Sequence, residues 1–131
     1  MIYIGIDPGT NTGIAVWDSR AKHFESIKTM TIAEALGTCS MYRKAYPSAV
    51  ITMEDARLRN WFGKSGREQL QGAGSIKRDC AIWEEVFPDI VKVAPKNNKT
   101  KLDSTTFEKI TGWKGRTSVH ARDAAMLVFG K

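Results

Sequence analysis

Apolar and polar residues alternate in three short runs at the start of the chain. The runs cover residues 2–7, 13–18 and 23–30, and the first is rich in β-branched side chains. Such patterns predict β-strands. The segment PGTNTG joins the first two runs and residues 18–22 join the second to the third, both with turn-forming residues. The pattern therefore predicts a β-hairpin followed by a third antiparallel strand.

The rest of the chain alternates between helical and strand patterns. Thr31 and Glu34 form a capping-box signature, which predicts a helix that runs to about Ala45 and ends before Pro47. The later elements are a strand, a long helix, a strand and two helices, at about residues 49–54, 67–87, 90–94, 103–111 and 118–129. The order β-β-β-α-β-α-β-α-α predicts one α/β domain over residues 1–131. Antiparallel hairpin strands and parallel strands would form a mixed five-stranded sheet flanked by helices.

The composition adds a basic charge and an ordinary pair of cysteines to this picture. The chain has 20 Lys and Arg against 14 Asp and Glu, a net charge of +6. This balance favours a polyanionic partner, because each phosphate neutralised by Lys or Arg releases counterions. Cys39 and Cys80 form no CxxC pair and have no histidine at zinc-ligand spacing, so we expect reduced thiols. No basic leader or long apolar run is present, which predicts a cytoplasmic protein that does not span a membrane.

Four potential metal ligands fall at predicted strand ends and at the start of the last helix. Asp7 ends the first strand and Glu54 ends the strand AVITME, so adjacent parallel strands would bring both acids to one edge of the sheet. His120 and Asp123 are three residues apart and would project from one helical face. Clustered carboxylates repel one another unless cations neutralise them, and their hard oxygens suit Mg²⁺ or Mn²⁺. Two such ions, about 3.5–4 Å apart, could support phosphodiester hydrolysis.

Each of these candidate ligands has a simpler explanation when it is taken alone. Asp7 precedes a proline and suits a turn, Glu54 suits the solvated end of a strand, and the HxxD pair suits the first turns of a helix. The doublet Glu54–Asp55 also leaves the ligand on this strand open. Alternation favours Glu54, because Ile51 and Met53 would then share the opposite face. The functional interpretation depends on all of these residues occurring in this order.

That order resembles the motifs of the RuvC-type Holliday-junction resolvases, a family of the RNase H-like superfamily. GIDPGTNTGIAVWD is similar to the first motif, AVITMED to the second and HARDAAMLVFG to the last, while REQLQGAGSIKRDCAIW is similar to the family's long helix. The resemblance covers nearly the whole chain. It implies an RNase H-like fold and a crossover junction endodeoxyribonuclease that resolves four-way DNA junctions by two-metal-ion hydrolysis.

The resemblance also implies roles for the four ligands. Asp7 would bridge two Mg²⁺ ions, Glu54 would hold one of them, and His120 with Asp123 would hold the other, with Mn²⁺ able to substitute. All four are thus the expected catalytic and metal-binding residues. The chain is shorter than typical bacterial resolvases, which suggests a phage-encoded or otherwise minimal member acting in a bacterial cytoplasm. The sequence preference of cleavage stays open.

Basic and aromatic residues cluster after Glu54, in the segment RLRNWFGKSGR. Trp61 and Phe62 lie among arginines and lysines, which suits stacking on unpaired bases and contact with phosphates. Alternatively, the two rings pack beneath the loop as a small satellite core. In the resembled family a Lys after the fifth strand lies near the scissile phosphate, for which Lys96 or Lys99 is the candidate. The predicted DNA-binding residues are Arg57, Arg59, Trp61, Phe62, Lys64, Arg67, Lys96, Lys99, Lys101, Lys114 and Arg116.

A homodimer is expected because a four-way junction has two-fold symmetry. A symmetric dimer could place one active site at each of two opposed strands. The predicted interface is one face of the long helix. It consists of Leu70, Ala73, Gly74, Ile76 and Lys77.

Three other functions are compatible with parts of the sequence. Actin-like ATPases and sugar kinases have a phosphate loop similar to GIDPGTNTG, but they need two lobes and several hundred residues. A non-catalytic junction-binding protein would not need all four candidate ligands. A nuclease of the same fold could act on other branched DNA or on RNA–DNA hybrids, and the basic, aromatic loop argues only moderately against hybrids.

Overall fold

The computed structural model describes residues 1–58, 67–95 and 102–131, with the backbone alone for residues 67–73. Its strands and helices follow the predicted order. They are β1 (Ile2–Asp7), β2 (Thr12–Asp18), β3 (His23–Met30), α1 (Ile32–Ala45), β4 (Val50–Glu54), α2 (Arg67–Val86), β5 (Val91–Val93), α3 (Ser104–Thr111) and α4 (Val119–Met126), with a short 3₁₀ turn at Ala56–Leu58.

The five strands form one mixed sheet in the order β3-β2-β1-β4-β5. β2 pairs antiparallel with both β1 and β3, whereas β4 pairs in parallel with both β1 and β5. This confirms the predicted α/β class and the join between antiparallel and parallel strands. β1 lies at the centre of the sheet. Its C-terminal end therefore lies beside the C-terminal end of β4, where α/β folds commonly place ligands.

One face of the sheet packs against α1 and α2. Ile4 and Ile6 of β1 and Ile51 and Met53 of β4 are almost completely buried there, together with Trp83 of α2. Because side chains alternate along a strand, the residues between these positions face the other side of the sheet. The apolar pattern thus determines which side chains of β1 and β4 face away from this core and can contribute to a functional site.

The opposite face packs against α3 and α4. Its buried cluster contains Ala15, Phe24 and Ile27 from the strands, with Phe107 of α3 and Ala124 of α4. Small residues on α4 keep this helix close to the strands, whereas aromatic rings fill the wider space near α3. The candidate ligands lie on this face.

Helix α1 begins as its capping box predicts. The Thr31 hydroxyl accepts a hydrogen bond from the Glu34 amide at 3.2 Å, and the Glu34 carboxylate accepts one from the Thr31 amide in return. Both donors would otherwise be unsatisfied at the first turn. The structure confirms this helix start.

Helix α4 is shorter than the pattern indicates. The pattern predicts a helix to about Phe129, but α4 ends at Met126. The amides of Leu127 and Val128 bond to carbonyls three residues earlier, each at 3.2 Å, which tightens the chain into turns. Gly130 then adopts a positive φ of 80°. The apolar residues after Met126 continue the buried face without continuing the α-helix.

Helix α2 is buried only along part of its length. Cys80 and Trp83 are fully buried, but Ile76, which shares their helical spacing, is 38% exposed. Cys80 and Cys39 are both free, buried thiols, as the sequence indicated. None of the helices in the described ranges is long and apolar enough to cross a membrane.

Candidate active site at the ends of the central strands

Asp7 and Glu54 end two neighbouring parallel strands and belong to the same face of the sheet. The register pairs Ile6 with Met53, one residue before each acid. Both of these apolar side chains are fully buried on the face covered by α1 and α2. Alternation then assigns Asp7 and Glu54 to the face covered by α4. The two acids therefore lie side by side at one edge of the sheet, each half-buried.

Helix α4 brings His120 and Asp123 to this edge. His120 Nδ1 lies 3.0 Å from Asp7 Oδ2, within hydrogen-bonding distance. With Asp7 ionised, Nδ1 is the donor, and in the neutral imidazole Nε2 is then the ring nitrogen with a lone pair. Asp123 is buried, 8% exposed, and its charge acts on Asp7. The sheet and this helix thus place all four predicted ligands at the same end of the sheet, with His120 in contact with Asp7.

Two glycines allow α4 to approach the sheet this closely. A Cβ atom on Gly13 would lie 2.0 Å from the His120 carbonyl oxygen, and one on Gly5 would lie 2.1 Å from the Ala124 carbonyl oxygen. Neither distance is tolerable for a side chain. Gly13 lies in β2 opposite Asp7, within the strand predicted over residues 13–18. The signal available in the sequence was a glycine inside a strand, which indicates close approach of another backbone.

The environment of Asp7 opposes its negative charge. Burial raises the pKa of Asp7 from an ordinary 3.8 to about 6. The hydrogen bond to His120 opposes this rise, whereas the charges of Glu54 and Asp123 add to it. A carboxyl group held between burial and two like charges is one that a cation would stabilise in its ionised form.

The chemistry of the four side chains fits a divalent cation, although their present arrangement does not enclose one. The three carboxylates are suitable ligands for Mg²⁺ or Mn²⁺, whereas an imidazole is more typical of later transition metals. In the part of the chain that the structure describes, no group of three or more His, Cys, Asp or Glu side chains lies close enough together to hold a metal ion. The His120 imidazole is instead the partner of Asp7. Binding of an ion would therefore require these side chains to converge further.

Asp55, the other acid of the doublet, lies on the opposite face and is engaged there. Its carboxylate is fully buried and accepts hydrogen bonds from Arg57 Nη2 at 2.7 Å and from Arg57 Nε at 2.9 Å. Burial raises the pKa of Asp55, but the hydrogen bonds and charge of Arg57 outweigh this and lower it overall. Arg57 also approaches Glu84 of α2 at 3.4 Å. Asp55 and Arg57 therefore anchor the end of β4 to α2, an arrangement in which Arg57 already has two acidic partners.

Arg122 is a residue that the sequence analysis did not single out. It is buried, and its guanidinium donates hydrogen bonds to the carbonyl oxygens of Leu102 at 2.8 Å and Thr117 at 2.7 Å. The same group also bonds the Thr117 hydroxyl at 3.0 Å. Arg122 thus fixes the segment that leads into α4, next to His120. In the sequence, Arg122 simply lies between two candidate ligands. Nothing in that position distinguishes an arginine that stabilises the fold from one that contacts DNA.

Some of the other predicted residues are exposed on the surface, and the rest lie outside the described residues. Lys114 and Arg116 are exposed before α4, and Gly74, Ile76 and Lys77 are exposed on α2. The remaining predicted positions lie outside the described residues, or have their side chains there. They are Arg59, Trp61, Phe62, Lys64, Arg67, Leu70, Ala73, Lys96, Lys99 and Lys101.

Comparison with models of protein families and with curated protein sequences gave no match to this chain.

Proposed function

We propose that this protein is a metal-dependent endodeoxyribonuclease with an RNase H-like fold that cleaves branched DNA, with four-way junctions as its principal substrate. One observation carries the proposal. Two acids end adjacent parallel strands at the same end of the sheet as a His and an Asp from one helical face, and His120 contacts Asp7 directly. Carboxylate ligands at the carboxyl ends of neighbouring strands are typical of divalent-cation sites that act on phosphates.

Asp7, Glu54, His120 and Asp123 are the residues that would hold the metal. When bound, a pair of Mg²⁺ ions supplies activation of a water molecule and stabilisation of the leaving oxygen in phosphodiester hydrolysis. The raised pKa of Asp7 supports this assignment, because burial and neighbouring negative charges are what a cation would offset.

The protein's own residues orient the site. The bond between His120 Nδ1 and Asp7 Oδ2 fixes the imidazole plane and directs its second nitrogen as an acceptor or ligand. Gly5 and Gly13 set the depth at which α4 lies on the sheet, and hence the distance from His120 to Asp7. Asp55 with Arg57 holds the backbone that follows Glu54. These contacts support the proposal because they would limit how far the reactive groups must move when a metal ion and substrate bind.

The substrate assignment is supported by charge and by the resemblance to junction resolvases. A net charge of +6 favours a polyanion, and exposed Lys114 and Arg116 lie in the segment that leads into α4. A two-fold symmetric junction suits a homodimer in which each protomer cuts one strand. Branched DNA is therefore preferred over linear duplex in this proposal.

The test compares synthetic four-way junctions, flaps, linear duplexes and RNA–DNA hybrids with Mg²⁺ or EDTA. Wild-type protein should cut junctions only with the metal, and Asp7→Asn should bind them without cutting. Asp89→Asn is the matched control, because Asp89 is an exposed acid paired with Arg43 outside the candidate site. Cleavage by Asp7→Asn, or in EDTA, would refute the mechanism. Preferential cutting of RNA–DNA hybrids would show that the substrate is a hybrid and not branched DNA, while the metal-dependent mechanism would stand.

A further inference from the structure

The hydroxyl group of Ser118 joins the start of α4 to strand β3. Ser118 is the N-cap of α4, and its Oγ accepts a hydrogen bond from the Ala121 amide at 3.0 Å. The same oxygen forms a hydrogen bond with the Thr29 hydroxyl. A hydroxyl group has one proton and two lone pairs, so Ser118 can serve both partners at once. The residue that caps the helix is therefore also a contact between the helix and the sheet.

The bond between Thr29 and Ser118 lies at one end of a row of residues that reaches Asp7. Asp7 pairs with Gly13 across β1 and β2, and Gly13 pairs with Thr29 across β2 and β3. Two strand spacings of about 4.8 Å separate Thr29 from Asp7, so the row is about 10 Å long. The row thus connects the edge strand to the central strand on the face covered by α4.

The first residues of α4 cross this row with one contact to each strand. On β3, Ser118 bonds to Thr29. On β2, the His120 carbonyl oxygen lies so close to Gly13 that an added Cβ atom would be 2.0 Å from it. On β1, His120 Nδ1 lies 3.0 Å from Asp7 Oδ2. Because these contacts come from residues 118–120 alone, the attachment at one end of the row limits where the imidazole can lie at the other.

The contact at Gly13 differs in kind from the two hydrogen bonds at the ends of the row. Close packing there limits how near the helix can come to the sheet, but it does not prevent the helix from turning about that point. A hydrogen bond between Thr29 and Ser118 does oppose such turning, since it requires a defined distance and direction. We therefore expect this bond to set the orientation of the helix start.

The hydrogen bonds of Arg122 do not duplicate this attachment. Its guanidinium bonds to Thr117 and to the Leu102 carbonyl oxygen. Neither partner belongs to a strand of the sheet. Arg122 thus holds the segments around α4 to one another, whereas the Thr29 hydroxyl holds the helix start to β3.

We infer that Thr29 and Ser118 are positioning residues of the candidate site, and that their hydrogen bond sets the place at which His120 meets Asp7. The consequence for cleavage rests on the proposed nuclease function. A displacement of about 1 Å at a reacting group can lower a rate by about 100-fold, so a modest bond far from the chemistry can matter. Neither residue is among the site residues expected from the sequence.

The first measurement records the ring nitrogen signals of His120 by NMR in the metal-free full chain, at about pH 8, where an imidazole is ordinarily neutral. Thr29→Val removes the hydroxyl group, keeps the shape of the side chain and suits a strand. Wild-type protein should carry the ring proton on Nδ1, and Thr29→Val should show a mixture of the two tautomers. Thr29→Ser, which retains the hydroxyl group, should keep the wild-type signals.

Thr38→Val is the matched control. It removes a hydroxyl group that bonds to the Glu34 carbonyl oxygen at 2.8 Å on α1, away from the site. Its His120 signals should equal those of wild type. Thermal unfolding checks that every variant folds, and loss of one hydroxyl should lower Tm by less than about 6 °C in each valine variant.

The second measurement is cleavage of a four-way junction with Mg²⁺, together with junction binding in EDTA. Thr29→Val should lower kcat about tenfold while Kd stays within about twofold, because the variant displaces a reacting group and removes no DNA contact. Thr29→Ser should restore most of the rate. A purely structural role would instead lower stability without changing the His120 signals of the folded protein.

Ser118→Ala and the double variant with Thr29→Val complete a mutant cycle. Ser118→Ala also removes the helix cap, but that loss occurs in the double variant as well and therefore cancels. If the hydrogen bond is the cause, the double variant should cut as fast as Ser118→Ala alone. Independent, multiplying losses of kcat would overturn the inference.

The positioning role and the nuclease function can fail separately. A wild-type chain that cuts no DNA, but whose His120 signals change in Thr29→Val and not in Thr38→Val, would refute the nuclease and support the positioning role. Junction cleavage at the wild-type rate by Thr29→Val, with unchanged His120 signals, would support the nuclease and overturn the positioning role.

Discussion

Asp7 is a half-buried carboxyl group that can both destabilise the fold and hold a cation. Burial raises its pKa from 3.8 to about 6, and the charges of Glu54 and Asp123 contribute. Without a bound metal ion, ionisation of Asp7 therefore lowers the free energy of unfolding. We predict that Asp7→Asn raises the free energy of unfolding of metal-free protein at pH 7 by roughly 2 kcal/mol, measured by urea denaturation.

The pH dependence of this effect has a definite sign. The folded state binds the Asp7 proton more tightly than the unfolded state does. The stabilisation of the fold by this protonated carboxyl group is therefore fully present below about pH 3.8, and it is lost as the pH rises through about 6. The stability difference between Asp7→Asn and wild type should therefore grow across this window. Mg²⁺ should stabilise wild type and leave Asp7→Asn unchanged. If Mg²⁺ stabilised wild type and Asp7→Asn equally, Asp7 would not be a ligand of the metal.

The ion pair of Asp55 and Arg57 gives a second prediction at the residue scale. Because the Asp55 carboxylate is fully buried, loss of Arg57 would leave an unpaired charge in the interior. We expect Arg57→Ala to destabilise the fold by about 3 kcal/mol, measured by urea denaturation at pH 7. The control is Arg43→Ala, which breaks an ion pair with exposed Asp89 and should cost less. Equal losses in the two variants would mean that Arg57 is not a structural partner of Asp55.

The pairing of α4 with the sheet gives a prediction at the scale of elements. Gly13→Ala would place a Cβ atom 2.0 Å from the His120 carbonyl oxygen, so the helix must shift. We predict a loss of more than about 2 kcal/mol in stability, together with changed chemical shifts at His120 in an NMR spectrum. Junction cleavage should fall because the imidazole no longer meets Asp7.

Gly37→Ala is the matched control for this substitution. Gly37 is exposed on α1, and a Cβ atom there would meet nothing within 4 Å. Since alanine favours helix more than glycine, this variant should gain up to about 1 kcal/mol. If Gly13→Ala is as stable as Gly37→Ala and keeps the His120 signals of wild type, α4 does not depend on close contact with β2.

Elements with a local cause could be predicted from the sequence. The capping box at Thr31 and the alternation in β1 and β4 act within a few residues, so their boundaries and faces agree with the structure. Alternation also favoured Glu54 over Asp55, and the structure places Asp55 on the opposite face. Local patterns failed where the cause was tertiary. The C-terminal end of α4 and the role of Gly13 both depend on packing between distant segments.

The candidate site depends on the whole molecule in the same way. The sequence could place each acid at the end of an element, but only the strand order makes β1 and β4 neighbours. The contact of Arg122 with Leu102 and Thr117 likewise joins segments that no periodicity connects.

Assembly of two chains is the largest-scale prediction. Ile76 is 38% exposed on α2, and a Cβ atom on nearby Gly74 would meet nothing within 4 Å, so both present an open helical surface beside exposed Lys77. We predict that light scattering gives about twice the chain mass of 14.6 kDa. Ile76→Glu should weaken the dimer at least about tenfold, because it places a charge in an apolar contact.

Ile110→Glu is the control for the dimer, since Ile110 is 47% exposed on α3, away from α2. It should leave the mass unchanged. The Ile76→Glu monomer should still bind Mg²⁺, because Asp7, Glu54, His120 and Asp123 all belong to one chain. On a junction in a supercoiled plasmid it should nick one strand where the dimer makes two paired cuts. A wild-type chain that is monomeric while making paired cuts would refute the dimer and require each chain to act twice.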